Sequence, residues 1–490
     1  MLFNTPEFII FFISILAIIS CIKFRRFQHL FIVGSSYFFF YFSSNFLISL
    51  LIFSTLLDFY VGKAIFATKD KKRKKILLIS SLVGNLGLLG FFKYADFAIL
   101  QFNILGQELN LNPDIPFLNL ALPIGISFYT FQTISYSVDI YRGSLKPSKS
   151  LWEFALFVSF FPQVVAGPIL RASHFLPQLR EKISNNNIPA RLRTITIHDT
   201  ALRFGITLMA VGFFKKMFFA DNIAPLVNEI FEVPYGLESF SVMLGAIAFG
   251  VQIYCDFSGY SDIAIGAAAI LGFNIPANFN KPFFATSPSE FWRRWHISLS
   301  TWVRDYVFYP LVIKHKKSKL RIVSSLLVTF FLIGIWHGAG WNFIIFGIMH
   351  GLYVGIQTSI RSLFPSLQNN TFLNSRSGRI ISILITQYFV FLAWLAFRVH
   401  DFDDLSYVLF KYIIWDFAIT ETLQILSHNQ IPIMLIIGFF ILHFISYKKN
   451  IVKSLSEIKI VYWTVALFGI ITLILFFYDL TPEEFIYFRF

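Results

Sequence analysis

Apolar residues gather in long runs along the whole chain, with no strand-like alternation to compete with them. The runs cover 7–22, 30–42, 46–62, 76–92, 154–170, 204–219, 241–255, 322–336, 341–356, 379–397, 431–446 and 460–478. A helix needs roughly 20 apolar residues to cross the hydrocarbon, and several runs fall short of that, so some segments end early or re-enter. The pattern predicts an all-α polytopic integral membrane protein with about ten to twelve transmembrane or re-entrant helices, forming a single domain over 1–490. There is no internal repeat, which weighs against transporter folds built from paired halves.

Composition agrees with that pattern and charge orients it. Hydrophobic residues make up 56% of the chain and charged residues 14%, against roughly a quarter charged in soluble domains. The 41 basic and 27 acidic side chains give a formal net charge of +14. The excess sits in short loops: Lys23-Phe24-Arg25-Arg26, 69–75, 314–321 and Lys448-Lys449. The positive-inside rule puts these loops in the cytoplasm and leaves no nucleic-acid partner to invoke. The two runs between Arg26 and Lys69 then form a hairpin, and the loop 180–200 is a cytoplasmic connection. Cys21 and Cys255, both in apolar surroundings, offer no disulfide framework or metal cluster. Glu7 stands where a signal peptide would be basic, so the first run reads as a retained helix entering from outside.

From 322 to 360 the chain has no Asp, Glu, Lys or Arg, yet His337 lies there, followed by Gly338-Ala339-Gly340. At 1.5 Å per residue from Arg321 it is roughly 20 Å deep. Irregular backbone at that depth needs protein or a water-filled cavity around it. This implies a cavity walled by a neutral imidazole suited to general-base work, with Trp336 beside it. A packed, hydrogen-bonded histidine is the alternative. The segment 287–311 is aromatic and amphipathic and belongs at the cytoplasmic headgroup boundary, with Ser289 as the expected helix cap. Within it, Arg293 or Arg294 could hold an anionic donor, and His296 lies on the cytoplasmic side of the same cavity. His350, on the next helix, either lines the site or packs in the core.

"CDFSGYSDIAIGAAAILGF" (255–273) puts Asp256 and Asp262 in an apolar run, where each needs a partner. Its Gly259 and Gly266 permit close helix approach. "AGPILR" (166–171) and "LPIGISF" (122–128) read as helix breaks, and "HDFDD" (400–404) as a solvated turn. No H-E-x-x-H or Walker loop occurs, so zinc proteolysis and nucleotide hydrolysis lack their parts. The tail "FIYFRF" (485–490) has the composition of an interfacial aromatic anchor with Arg489 at the headgroups.

"FWRRWHISLSTWVRDYVFYPL" followed by "GIWHGAGWNFIIFGIMHG" resembles the membrane-bound O-acyltransferase family, in its bacterial polysaccharide branch. Supporting stretches are "NLGLLGFFKYADF" (85–97), "LPIGISFYTFQTISYSVDIYRG" (122–143), "FFPQVVAGPI" (160–169) and "DFSGYSDIAIGAAAILGFNIPANFNKPF" (256–283). The resemblance implies transfer of an acyl, in the first place acetyl, group from a cytoplasmic thioester such as acetyl-CoA to an extracytoplasmic polysaccharide, and turns the cavity into a central tunnel. It implies no tightly bound cofactor and no metal, and a secreted esterase-like acyltransferase as partner. The location is the bacterial inner membrane. The family's paired histidines map onto His337, the base, and His296, at the donor entrance or orienting the thioester carbonyl. Related systems place a tyrosine near a C-terminus to relay the acyl group, which makes Tyr487 a second reading of the tail. A teichoic-acid D-alanyl transferase and a flippase of envelope precursors stay open as alternatives.

Overall fold

The computed structural model describes residues 3–22, 24–111, 114–165, 167–184, 197–313, 318–478 and 484–488. All regular structure among them is helical. Seven stretches are long and apolar enough to cross a membrane: Arg25–Ala67, Lys71–Glu108, Ser239–Ile270, Lys319–His337, Trp341–Leu363, Arg376–Arg398 and Gln430–Lys448. Pro6–Cys21 and Ile460–Phe476 are shorter apolar helices. The first stretch is really two helices, Arg25–Ser44 and Ile48–Ala67, broken at Asn45 with φ 50. Tyr37 on one bonds Thr55 on the other, and Leu30, Val33, Ile52 and Leu56 line one apolar cavity. That is the expected hairpin. The basic cluster at 69–75 lies at a helix start, where Asp70 accepts the Lys72 amide at 2.9 Å. Lys23, the cluster residues 314–317 and the loop residues 185–196 lie outside the described residues.

The chain divides into two compact units, Met1–Met209 with Tyr260–Pro276, and Ala210–Gly259 with Ala277–Phe490. In the first, the helix Ile126–Tyr141 is buried along nearly its whole length, although no apolar run marks it. Gly125 starts it at φ 79, and a Cβ there would lie 2.3 Å from the Val164 carbonyl oxygen. The break expected in 122–128 is therefore a helix start, built around a backbone approach that only glycine permits. Asp58, fully buried, accepts from Ser81 Oγ at 2.5 Å, Asn85 Nδ2 at 2.6 Å and Ser137 Oγ at 2.5 Å. Thus three helices are tied together through neutral donors around one carboxyl.

In the second unit, Lys319–His337 and Trp341–Leu363 pack backbone to backbone. A Cβ on Gly334 would lie 2.3 Å from the Phe343 carbonyl oxygen, and one on Gly347 2.4 Å from that of Phe330. The turn between them is equally tight, since a Cβ on Gly338 would meet the Phe343 ring at 2.0 Å. This fixes His337 at the last turn of its helix. Gly259 works the same way: its Cβ would be 2.7 Å from the Gly212 carbonyl oxygen. Two expectations are corrected here. The cap of the helix Pro288–Arg294 is Ser287, whose Oγ accepts the Glu290 amide at 3.3 Å. Ser289 lies inside that helix and gives its amide and hydroxyl to Gln357 Oε1 at 2.9 and 2.7 Å. And 400–404 is a helix start rather than a free turn, with Asp401 accepting the amides of Asp403 and Asp404.

Candidate active site

His296 sits at the junction between Pro288–Arg294 and Ile297–Val303, with φ 42 and no solvent exposure. Its Nδ1 lies 3.1 Å from Asn278 Oδ1. That same oxygen accepts the backbone amide of Ser298 at 3.2 Å and its hydroxyl at 2.9 Å. A backbone N–H only donates, so the Asn278 atom is an oxygen and His296 Nδ1 carries the proton. The lone pair is therefore on Nε2, which is buried and has no hydrogen-bond partner among the described residues. A neutral ring in this tautomer accepts a proton. It has no N–H to offer a thioester carbonyl, so that part of the expected role does not fit the geometry.

Around His296 three other sequence candidates assemble, Trp336, His337 and Tyr487. Trp336 lies 5.8 Å away by ring centroids and 4.9 Å from His337. His337 is 4% exposed, walled by Phe346 at 5.6 Å and Phe397 at 5.2 Å. Then the C-terminal tail enters. The Tyr487 ring is 5.6 Å from His337, 6.3 Å from both His296 and Trp336, and 4.4 Å from Phe257. Its hydroxyl is buried without a hydrogen-bond partner among the described residues. Phe485 is fully buried and Ile486 is 6% exposed. The tail is thus an interior element, and the reading of it as a headgroup anchor is corrected; Arg489 lies outside the described residues. Burial outcompetes the interface because the tail's rings find other rings, and its backbone finds Asp256, whose Oδ2 accepts the Ile486 amide at 2.8 Å.

The remaining candidates stand apart from this cluster. His350 accepts from Trp292 Nε1 at 3.2 Å through Nδ1, which puts its own proton on Nε2. Its ring lies 4.7 Å from Phe346, which in turn faces His337. Arg294 is committed to Glu290 at 2.7 Å and to the Asn280 carbonyl at 3.1 Å. Arg293 is exposed at the surface. Sequence reasoning missed Asn278 and Lys216. Nothing in "NIPANFN" marks Asn278, whereas Asp256 in its apolar run did signal that a partner was needed, and Lys216 Nζ, 2.7 Å from its Oδ1, is that partner.

The family model of the membrane-bound O-acyltransferases matches residues 8–400. A peptidoglycan O-acetyltransferase of Helicobacter pylori is 33% identical, over 84% of this chain and 79% of its own length. A probable alginate O-acetylase of Pseudomonas aeruginosa is 34% identical, over 82% and 72%. A teichoic acid D-alanyltransferase of Bacillus subtilis is 30% identical over 57% of this chain and 69% of its own.

Proposed function

The chain belongs to the membrane-bound O-acyltransferase family, as a multi-pass membrane enzyme, and on that premise we propose that it O-acetylates an extracytoplasmic polysaccharide by way of its own Tyr487. The observation that carries this is a buried phenol hydroxyl, without a hydrogen-bond partner among the described residues, set among two histidines and Trp336. Burial, with the Asp256 charge nearby, pushes the Tyr487 phenol well above its ordinary range, so it is protonated at neutral pH and needs a base to attack. His337 takes the phenol proton as the oxygen attacks the thioester carbonyl carbon of a donor such as acetyl-CoA, entering by a tunnel from the cytoplasm. The C–S bond breaks, and the thiolate leaves as the thiol with the proton that His337 held. The product is an aryl ester on Tyr487, energetic enough to pass its acetyl group to a hydroxyl of an extracytoplasmic partner and then to the polymer. His296, with its lone pair on Nε2, accepts the hydroxyl hydrogen as the donor settles, holding the phenol in place until the O–H turns to His337 and the oxygen attacks. The ring walls limit water and hence hydrolysis of the thioester.

Acetyl transfer is favoured over D-alanyl transfer by coverage, because the acetylating relatives align over far more of this chain. Thioester turnover by the purified full chain tests the reading against a flippase, which needs no donor. Acetyl-thioester consumption falling about 100-fold or more in His337→Ala is expected for loss of a general base. Turnover equal to wild type in that variant, or none in either, overturns the assignment.

A further inference from the structure

We propose that Asp256 is a positioning residue whose carboxylate docks the C-terminal tail and so sets Tyr487 between the histidines. Its two oxygens have different partners. Oδ1 lies 2.7 Å from Lys216 Nζ, and Oδ2 accepts the Ile486 amide at 2.8 Å. Lys216 in turn lies 2.8 Å from Asp221 Oδ1, and the three side chains are 1%, 7% and 2% exposed for Lys216, Asp221 and Asp256. An ion pair that served only to join helices has no need of an acceptor aimed at a tail amide. Here the lysine fixes the carboxylate's orientation, and the second oxygen makes a charge-assisted bond to the backbone one residue before Tyr487.

The neighbouring residue grips the side chain. Phe257 lies 4.4 Å from the Tyr487 ring and 4.7 Å edge-on from the His296 ring. On the tail itself, Phe485 stacks on Tyr487 at 5.6 Å, and the turn Ile486–Phe488 is closed by the Phe488 amide on the Phe485 carbonyl at 2.8 Å. Consecutive residues of one helix therefore hold the tail's backbone and its tyrosine. Lys216 reaches Asp256 because the helices touch at Gly259, where a Cβ would also lie 3.1 Å from the Lys216 amide nitrogen. The role deepens the Tyr487 reading and rests on it for its purpose, though not for its geometry.

Breaking a buried ion pair by removing one partner threatens the fold itself, so Asp256→Ala alone is a poor test. Ile486→Pro removes the donated N–H together with the buried isoleucine side chain, so Ile486→Ala, which trims the side chain but keeps the N–H, is the control and retains wild-type exchange and acylation. Proline suits the first residue of a helical turn, and the Lys216–Asp256 pair is untouched. The full chain in lipid nanodiscs is followed by hydrogen exchange of the tail peptide, and the same variant by polymer acylation in cells. With thermal stability unchanged, the tail amides exchange faster and acylation falls, each by about tenfold or more, as loss of one charge-assisted hydrogen bond dictates. Wild-type exchange together with wild-type acylation in Ile486→Pro overturns the dock, even if Tyr487→Phe is inactive. A loosened tail with Tyr487→Phe still active upholds the dock and removes the relay.

Discussion

His296 holds a left-handed backbone, φ 42, at the head of a short helix, a conformation that costs roughly 1–3 kcal/mol for a non-glycine residue. Asn278 makes that conformation worthwhile by collecting the His296 Nδ1–H, the Ser298 amide and the Ser298 hydroxyl on one oxygen. Replacing it with Leu strands buried donors, at about 1–3 kcal/mol of stability, and frees the histidine's tautomer. Asn278→Asp is the sharper change. A carboxylate facing Nδ1–H favours the imidazolium, so the His296 pKa rises by roughly one unit or more. In the proposed mechanism His296 works as the neutral acceptor, so activity is expected to be lost on acidification at a higher pH than in wild type. A pH profile of thioester turnover for the two proteins measures this, and an unmoved acid limb contradicts the role of His296. At this scale the sequence was informative where a residue violated its surroundings. His337 stood out in a stretch of 39 uncharged positions, 322–360, and Asp256 in an apolar run. Asn278 did not, because its meaning depends on a loop geometry that no spacing encodes.

Helices were legible where they face lipid and blurred where they face protein. The run ending at 255 continues to Ile270, because Asp256, Ser258, Ser261 and Asp262 interrupt the hydropathy without interrupting the helix, whose apolar window is 78% buried. Ile126–Tyr141 escaped notice for the same reason: its Gln132 and Thr133 find partners in neighbouring segments, so it need not be apolar. The helix pair that presents His337 makes a specific demand. Gly347→Ala puts a Cβ 2.4 Å from the Phe330 carbonyl oxygen, and overpacking of this kind costs about 1–3 kcal/mol. Gly438, in Gln430–Lys448, has nothing within 4 Å of its Cβ position. Gly438→Ala is therefore expected to be neutral or stabilising by about 0.5–1 kcal/mol through helix propensity. Thermal unfolding of the two variants in detergent compares them directly. Equal melting temperatures contradict the close approach at Gly347.

Across the whole molecule, the proposed function requires an acyl group to travel from a cytoplasmic thioester to an acceptor beyond the bilayer. Long apolar helices among the described residues supply the barrier, and the basic clusters read from the sequence predict its orientation. The fold class, the hairpin and the membrane-bound acyltransferase resemblance were all readable in hydropathy, charge and motif. The return of the tail into the second unit was not. Its aromatic residues suit an interface as well as a core, and only the tertiary contacts to Phe257, Asp256 and the two histidines decide between them. The central claim is that this buried tyrosine carries the acyl group. It is tested by the O-acyl content of the envelope and secreted polysaccharide in a deletion strain complemented with Tyr487→Phe, a change that keeps the ring and removes only the nucleophile. At wild-type protein levels, acylation at the deletion baseline is the predicted result; acylation at the wild-type level contradicts the account.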